Sequence, residues 1–379
     1  MKRILQTIPR PAIAAATLLL LAACGSAAPA PASPKPAPAS SAASVASGAA
    51  SPKPNAPAGS TSAKPSAAAS SGAALPKIAV RMGYKMIGQY IPASLMIEQG
   101  KYKAAGIDVS LKEGTGSVTS AELVGNGTNP IGLIDATAAA LTVSKGLAEK
   151  VVAITIQKSP TAVITLASKN IKTPKDLIGK TIAYDPGSNV FALFPAFLKA
   201  NGLTTDQVKT VGAAGHAKVA AIAQNKVDGL LGLVNDEVFD VEAETKGAPL
   251  NNLIYADYGV PFIGPVSVVV NNKFLQAHPD QVRAFIKVTL EGVQAAQKDP
   301  QAAVAAANKE FPLTKTDILM GQWKATVPLL QSKSTAGHPI GWQSDQDWTT
   351  TLNLMKQYIN PKLDPTPSLY YTNDYLPKQ

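Results

Sequence analysis

Short apolar runs alternate with helical periodicity along most of this chain. Runs at 78–82, 106–111, 130–134 and 151–156 read as strands. Between them, 92–100, the stretch through Leu123 and 136–146 place apolar residues at helical spacing. A second cycle follows, with strands at 163–167, 181–184, 208–211, 228–233 and 252–255 and helices through Leu198, around 216–224 and toward Lys246. Residues 265–270 read as a buried strand, and the rest is helical in pattern over 271–277, 280–297, 301–309, 316–330 and 345–358. Such alternation predicts parallel βαβ units. Two cycles predict two lobes, 77–165 with 265–379 and 166–264, and hinge crossings near 161–168 and 260–267.

Polar clusters sit where the predicted strands end, which is where open parallel sheets take ligands. After the first strand come Tyr84, Gln89 and Tyr90; after the second, Gly116, Ser117 and Val118; after the third, Asp135 and Ala136; after the fourth, Lys158. The second cycle supplies Asp185, Gly187, Ser188 and Asn189, then Asn235, Asp236 and Glu237. The two Gly-Ser turns open helices, so free N–H groups, the positive end of a helix dipole and a hydroxyl face outward. Capping is the competing role for Asp185 and Asp236, and the tyrosines also suit a core or rim. Pro195 inside the predicted 189–201 helix should kink or shorten it.

The first 76 residues change the picture. Lys2, Arg3 and Arg10 precede an apolar run at 12–23, shorter than the roughly 20 residues that span a bilayer, so 1–23 reads as a secretory signal. Cys24 is the only cysteine, and it follows small residues in a way that resembles a bacterial lipobox, which implies that it is lipidated and anchors the protein outside the cell membrane. From 24 to 76 the chain is almost all Ala, Pro, Ser, Gly and Lys, a composition that cannot bury a core. It reads as a tether with a reach on the order of 40 Å. Six cations and no acid precede residue 77, so the folded part carries +4 of the formal +10. With no Lys/Arg run interleaved with aromatics, nucleic-acid binding is not expected.

Several segments together resemble the solute-binding proteins of ABC importers, in the thiamine-precursor-type and nitrate-, sulfonate- and taurine-type group. They are 102–109 (YKAAGIDV), 114–117 (GTGS), 176–184 (DLIGKTIAY), 202–203 with 206–208, 225–229 (NKVDG), 278–285 (HPDQVRAF) and 299–300. The resemblance implies an α/β, type II periplasmic-binding-protein fold whose lobes close on a small molecule. It also implies permease and ATPase partners, a monomer, and no cofactor.

Residue chemistry has to choose the ligand. Past the signal only Arg81 and Arg283 occur, too few for the bidentate clamp of many oxyanion sites. The acidic strand ends and nearby tyrosines suit an amine-bearing heterocycle such as a pyrimidine or flavin, with alkanesulfonate, taurine or nitrate as the alternative. A ligand sensor serving a membrane receptor would need the same cleft. His216, His278 and His338 are not at ligand spacing, so no metal site is expected. The thiamine-pyrimidine synthases of the same broad group need a cysteine-rich motif that is missing, so no enzyme is expected. Trp342, in a loop, is a candidate for the cleft mouth.

Overall fold

The computed structural model describes residues 74–378. The expected signal, Cys24 and the tether as far as residue 73 lie outside them. In chain order the strands are β1 (Lys77–Met82), β2 (Asp108–Lys112), β3 (Ile131–Ile134), β4 (Glu149–Lys158), β5 (Thr161–Leu166), β6 (Thr181–Tyr184), β7 (Lys209–Gly212), β8 (Gly229–Leu233), β9 (Leu250–Ile254) and β10 (Ile263–Asn271). The helices are α1 (Ile91–Glu98), α2 (Lys101–Ala104), α3 (Ser117–Gly125), α4 (Ala136–Val143), α5 (Asn189–Ala200), α6 (His216–Ala223), α7 (Glu237–Glu244), α8 (Asn272–Ala277), α9 (Pro279–Lys298), α10 (Pro300–Glu310), α11 (Thr316–Thr326) and α12 (Asp345–Tyr358).

The strands form two five-stranded sheets, ordered β2-β1-β3-β10-β4 and β7-β6-β8-β5-β9, and each sheet is the base of one lobe. β1 pairs in parallel with β2 and β3, and β6 with β7 and β8, as the alternating pattern predicts. One strand in each sheet departs from that expectation. β10 is antiparallel to β3 and β4, and β5 is antiparallel to β8 and β9. These are the two strands that the chain enters on crossing from the other lobe. The parallel strands carry their carboxyl ends to the gap between lobes, so a strand entered from that gap must run back away from it. The first crossing is only Ser159–Pro160, because β5 pairs with β8 from Thr161 onward, ahead of the expected 161–168. The return passes through 255–262 and overlaps the expected 260–267 only at its start.

All nine residues of β10 are buried, Ser267 and Asn271 included, in line with the reading of 265–270 as a buried strand. Trp323 and Trp348 are buried too, and their indole N–H groups donate to the Ala296 carbonyl and to Gln343 Oε1. α12, expected with the first lobe, packs in one apolar cluster with α5 of the second lobe, through Trp348, Leu352 and Met355 against Leu193 and Phe197. Pro195 neither shortens nor ends α5, which runs for 12 residues behind the cap made by Ser188 Oγ on the Phe191 N–H.

Candidate functional site

On the first lobe, the turn after β1 carries Tyr84, and the helical turn before α1 buries Gln89 and Tyr90. Gly116 precedes α3 with φ +156°, and a Cβ there would fall 2.5 Å from the Gly187 carbonyl oxygen of the second lobe. Only glycine permits that approach, and the Val118 N–H donates to the same oxygen at 3.3 Å. Asp135 caps α4, accepting from the Thr137 N–H at 2.7 Å and from the Thr137 hydroxyl. Burial pushes its carboxyl up to about 7, against the pull of those hydrogen bonds.

The second lobe presents charge. Lys218, in the first turn of α6 and 3% exposed, pairs with Asp185 after β6 and with Glu237 at the start of α7, the latter at 2.6 Å. Its third proton goes to the Leu231 carbonyl at 3.2 Å. Burial alone would lower the affinity of Lys218 for its proton; Glu237 and Asp185 reverse this and hold it charged. Glu237 Oε2 also accepts from the Leu233 N–H at 2.7 Å, and Asp185 Oδ1 from the Gly215 N–H. Each carboxylate therefore holds the ammonium on one oxygen and a backbone N–H on one oxygen. Asp236 is different: its carboxyl is 3% exposed and accepts from Gln322 Nε2 at 2.7 Å. Burial and then the neighbouring Glu237 and Asp240 raise its proton affinity well above the usual carboxylate range. Burial, followed by Glu237 and Asp185, pushes the Tyr84 phenol up as well.

The lobes meet through further polar contacts. Asn235 Nδ2 donates to Thr326 Oγ1 at 2.9 Å and lies 3.4 Å from Gln89 Oε1; the Thr137 hydroxyl oxygen lies 3.1 Å from Asn189 Oδ1. Between the lobes is an inner cavity of 60 Å³, bounded by Ser117, Asp135, Ser188, Asn189 and Pro265 among others. An outer cavity of 350 Å³ adjoins it, bounded by Lys85, Glu113, His216, Val219, Leu313 and Ile318. Tyr84, Ile87, Lys218, Asp236 and Glu237 border both. The outer volume lies in the range of roughly 300–1,000 Å³ typical of small-molecule sites.

Of the residues singled out by sequence, Tyr84, Gln89, Tyr90, Gly116, Ser117, Asp135, Asp185, Ser188, Asn189, Asp236 and Glu237 border the inner cavity. Val118 and Gly187 form the contact between lobes, and Asn235 bridges them. Two are elsewhere. Ala136 is wholly buried behind Asp135, where Gly264 leaves room for it, and Lys158 is exposed at the end of β4, outside both cavities. Arg81 holds Asn129 and the Glu113 carbonyl, and Arg283 caps the Asp374 carbonyl, so neither arginine borders the cleft. Trp342 is not at the cleft mouth: it stacks on His338 at 3.7 Å beside a separate groove next to α9. Sequence reasoning missed Lys218, Gln322, Lys85 and Leu313. Lys218 left a trace, since it lies one turn from Ile222 on the buried stripe of α6, where a charge requires partners.

The profile of the family described as NMT1/THI5 like matches residues 89–303, more than half of the chain. The chain belongs to the NMT1/THI5-like family. Relatives in sequence include the riboflavin-binding protein RibY of Chloroflexus aurantiacus, 25% identical over 79% of this chain and 86% of that one. The formylaminopyrimidine-binding protein of Halalkalibacterium halodurans is 24% identical over 68% and 78%. A 4-amino-5-hydroxymethyl-2-methylpyrimidine phosphate synthase of Legionella pneumophila is 22% identical over 76% and 88%. Among solved structures, the periplasmic aliphatic sulphonate binding protein SsuA of Escherichia coli superposes with a TM-score of 0.60 at 14% identity, over 80% of this chain and 99% of that one. This NMT1/THI5-like chain thus has the type II periplasmic-binding-protein fold. Its family match contains Ser117, Asp135, Asp185, Lys218 and Asp236, while Tyr84, Leu313 and Gln322 lie outside it.

Proposed function

We propose that this protein is the extracytoplasmic solute-binding subunit of an ABC importer, closing two lobes on a small nitrogen heterocycle such as a thiamine-pyrimidine precursor or a flavin. In this reading Cys24 carries the lipid anchor and residues 24–76 are the tether. The first lobe is 77–158 with the segment from 263 onward, the second 161–254, and a monomer docks on permease and ATPase subunits. The observation that carries the ligand class is the charge of the cleft. Where the two cavities meet, Asp185, Asp236 and Glu237 share one lysine, Lys218; farther out Glu113 and Asp240 are matched by Lys85 and Lys315, and no arginine borders either cavity. An oxyanion entering there meets net negative charge at reduced dielectric, whereas an amine or ring N–H meets an acceptor. The names of the riboflavin- and formylaminopyrimidine-binding relatives agree with a heterocycle.

The alternative is an alkanesulfonate, taurine or nitrate. The helix N-termini at Ser117 and Asn189 favour it, but by only about 0.3–1 kcal/mol each at exposed sites. A ligand sensor partnering a membrane receptor would use the same cleft. A synthase role has less support. All three protons of Lys218 are committed, which leaves it poorly placed to condense with an aldehyde cofactor, and no metal-holding group of His, Cys, Asp or Glu occurs among the described residues.

Thermal-shift screening of the purified full chain against 4-aminopyrimidines, riboflavin, nitrate and ethanesulfonate tests the reading. A heterocycle should raise the midpoint by several degrees at millimolar concentration. Stabilisation by ethanesulfonate or nitrate alone would sink it.

A further inference from the structure

Among the three acids gathered where the two cavities meet, one stands apart. Lys218 spends its three protons on Asp185, Glu237 and the Leu231 carbonyl. Glu237 accepts from Lys218 and the Leu233 N–H, and Asp185 from Lys218 and the Gly215 N–H, so each of these two acids has the ammonium against it. Asp236 borders both cavities and, among the described residues, accepts through Oδ1 alone, from Gln322. Its Oδ2 accepts no hydrogen bond, and no cation pairs with either oxygen among the described residues. Beside it, Tyr84, Ile87, Val219, Ile318 and Leu319 give the outer cavity apolar walls of the kind that hold a planar ring.

We infer that Asp236 selects the ligand by its hydrogen-bonding edge: it takes the amidine-type edge of an aminopyrimidine, a ring nitrogen beside an exocyclic amine, in preference to the imide edge of a flavin. The inference rests on the heterocycle reading above. An amidine edge and a carboxyl group match in two hydrogen bonds, with the amine donating to one oxygen and a single proton held between the other oxygen and the ring nitrogen. That match survives whether the proton belongs to the ring or to the acid, which suits a carboxyl whose proton affinity burial and Glu237 have raised. An imide instead sets two carbonyl oxygens on either side of its one N–H, facing the oxygens of Asp236. Lys218 has no proton left to receive them.

Calorimetric titration of the full chain and of Asp236→Asn with 4-amino-2-methylpyrimidine and with riboflavin tests this. The isosteric variant keeps an acceptor for Gln322 and should bind the aminopyrimidine about ten- to a hundredfold more weakly, the loss expected when a charged hydrogen bond goes. Equal affinity in the two proteins overturns the inference. Binding of riboflavin without the aminopyrimidine by the unsubstituted chain also overturns it but leaves the heterocycle reading standing, whereas binding of neither removes both. If Asp236→Asn fails to fold, 4-dimethylamino-2-methylpyrimidine on the unsubstituted chain decides: loss of the amine protons should weaken binding at least tenfold, and unchanged affinity overturns the assignment.

Discussion

The two lobes bury their acids in different ways. In the first lobe Asp135 and Glu149 have no cation beside them; burial pushes their carboxyls up to about 7 and about 8, so both take up protons within reach of neutral pH. Glu149 is 1% exposed, accepts from the Thr142 hydroxyl and leaves Oε2 without a partner. In the second lobe Asp185 and Glu237 are held as carboxylates against the charge of Lys218 instead. A proton responds to pH, while a fixed lysine holds its place and draws three helix starts, those of α5, α6 and α7, into one rigid face. The first face is therefore built for shape and hydrogen bonding, the second for a constant field.

The largest expected break in this contrast is Lys218→Met. It strands two buried carboxylates and should cost about 3–5 kcal/mol in urea unfolding, because a buried charge without its partner is far worse than no charge. Adding Glu237→Gln should return part of the loss. A single variant as stable as the parent would mean that the lysine is not the neutralising group.

Glu149→Gln tests the other half. An acid whose affinity for protons is higher folded than unfolded stabilises the fold fully below its unfolded pKa, and that contribution is lost as pH rises toward the folded value. For Glu149 the window runs from 4.5 to about 8, and for Asp135 from 3.8 to about 7. Stability of the parent should fall across this span, and Glu149→Gln should flatten the slope by about 1–3 kcal/mol, read from melting points at its two ends. Parallel slopes would show that Glu149 does not titrate there.

Gly116→Ala is a smaller effect and concerns the meeting of the faces. The added methyl collides with the Gly187 carbonyl, so ligand affinity should drop about tenfold, equivalent to about 1.4 kcal/mol, with unfolding changed little. Unaltered affinity would show that this contact is not needed for closure. Leu313→Ser should be the mildest. Leu313 is fully exposed at the outer cavity, so stability should stay within about 0.5 kcal/mol while affinity for a ring falls about threefold.

Much of this arrangement was legible in the sequence because the signals are local. The switch from strand to helix period at 181–189 located the Asp185 to Asn189 turn, and glycine with serine marked both jaws. What stayed hidden depends on distance along the chain or on direction. Gln322 and Leu313 reach the site from more than 75 residues beyond Asp236, and nothing near them announces it. Lys158 looked like a strand end in the cleft because its neighbours on other strands are, yet the ten-residue β4 carries it past the cavity. The ion pairs of Asp185 and Glu237 are invisible because their lysine reads, from sequence, as an ordinary helix charge. The direction of β5 and β10 follows from the side on which the chain enters each lobe, which no residue pattern records.

The placement of β10 also dictates an order of assembly. β5 to β9 are contiguous, so the second sheet has all its strands once residue 254 is available. The first sheet cannot join β3 to β4 until β10 arrives, more than 100 residues after either began. Closing so long a loop is slow relative to local pairing. Pulse-labelled hydrogen exchange during refolding should therefore protect the amides of β6 and β8 before those of β3 and β4, and the reverse order would contradict this. A chain emerging N-terminus first would carry an open-seamed first lobe while its second is already a sheet, and the late strand would act as the zipper that makes one molecule of two halves.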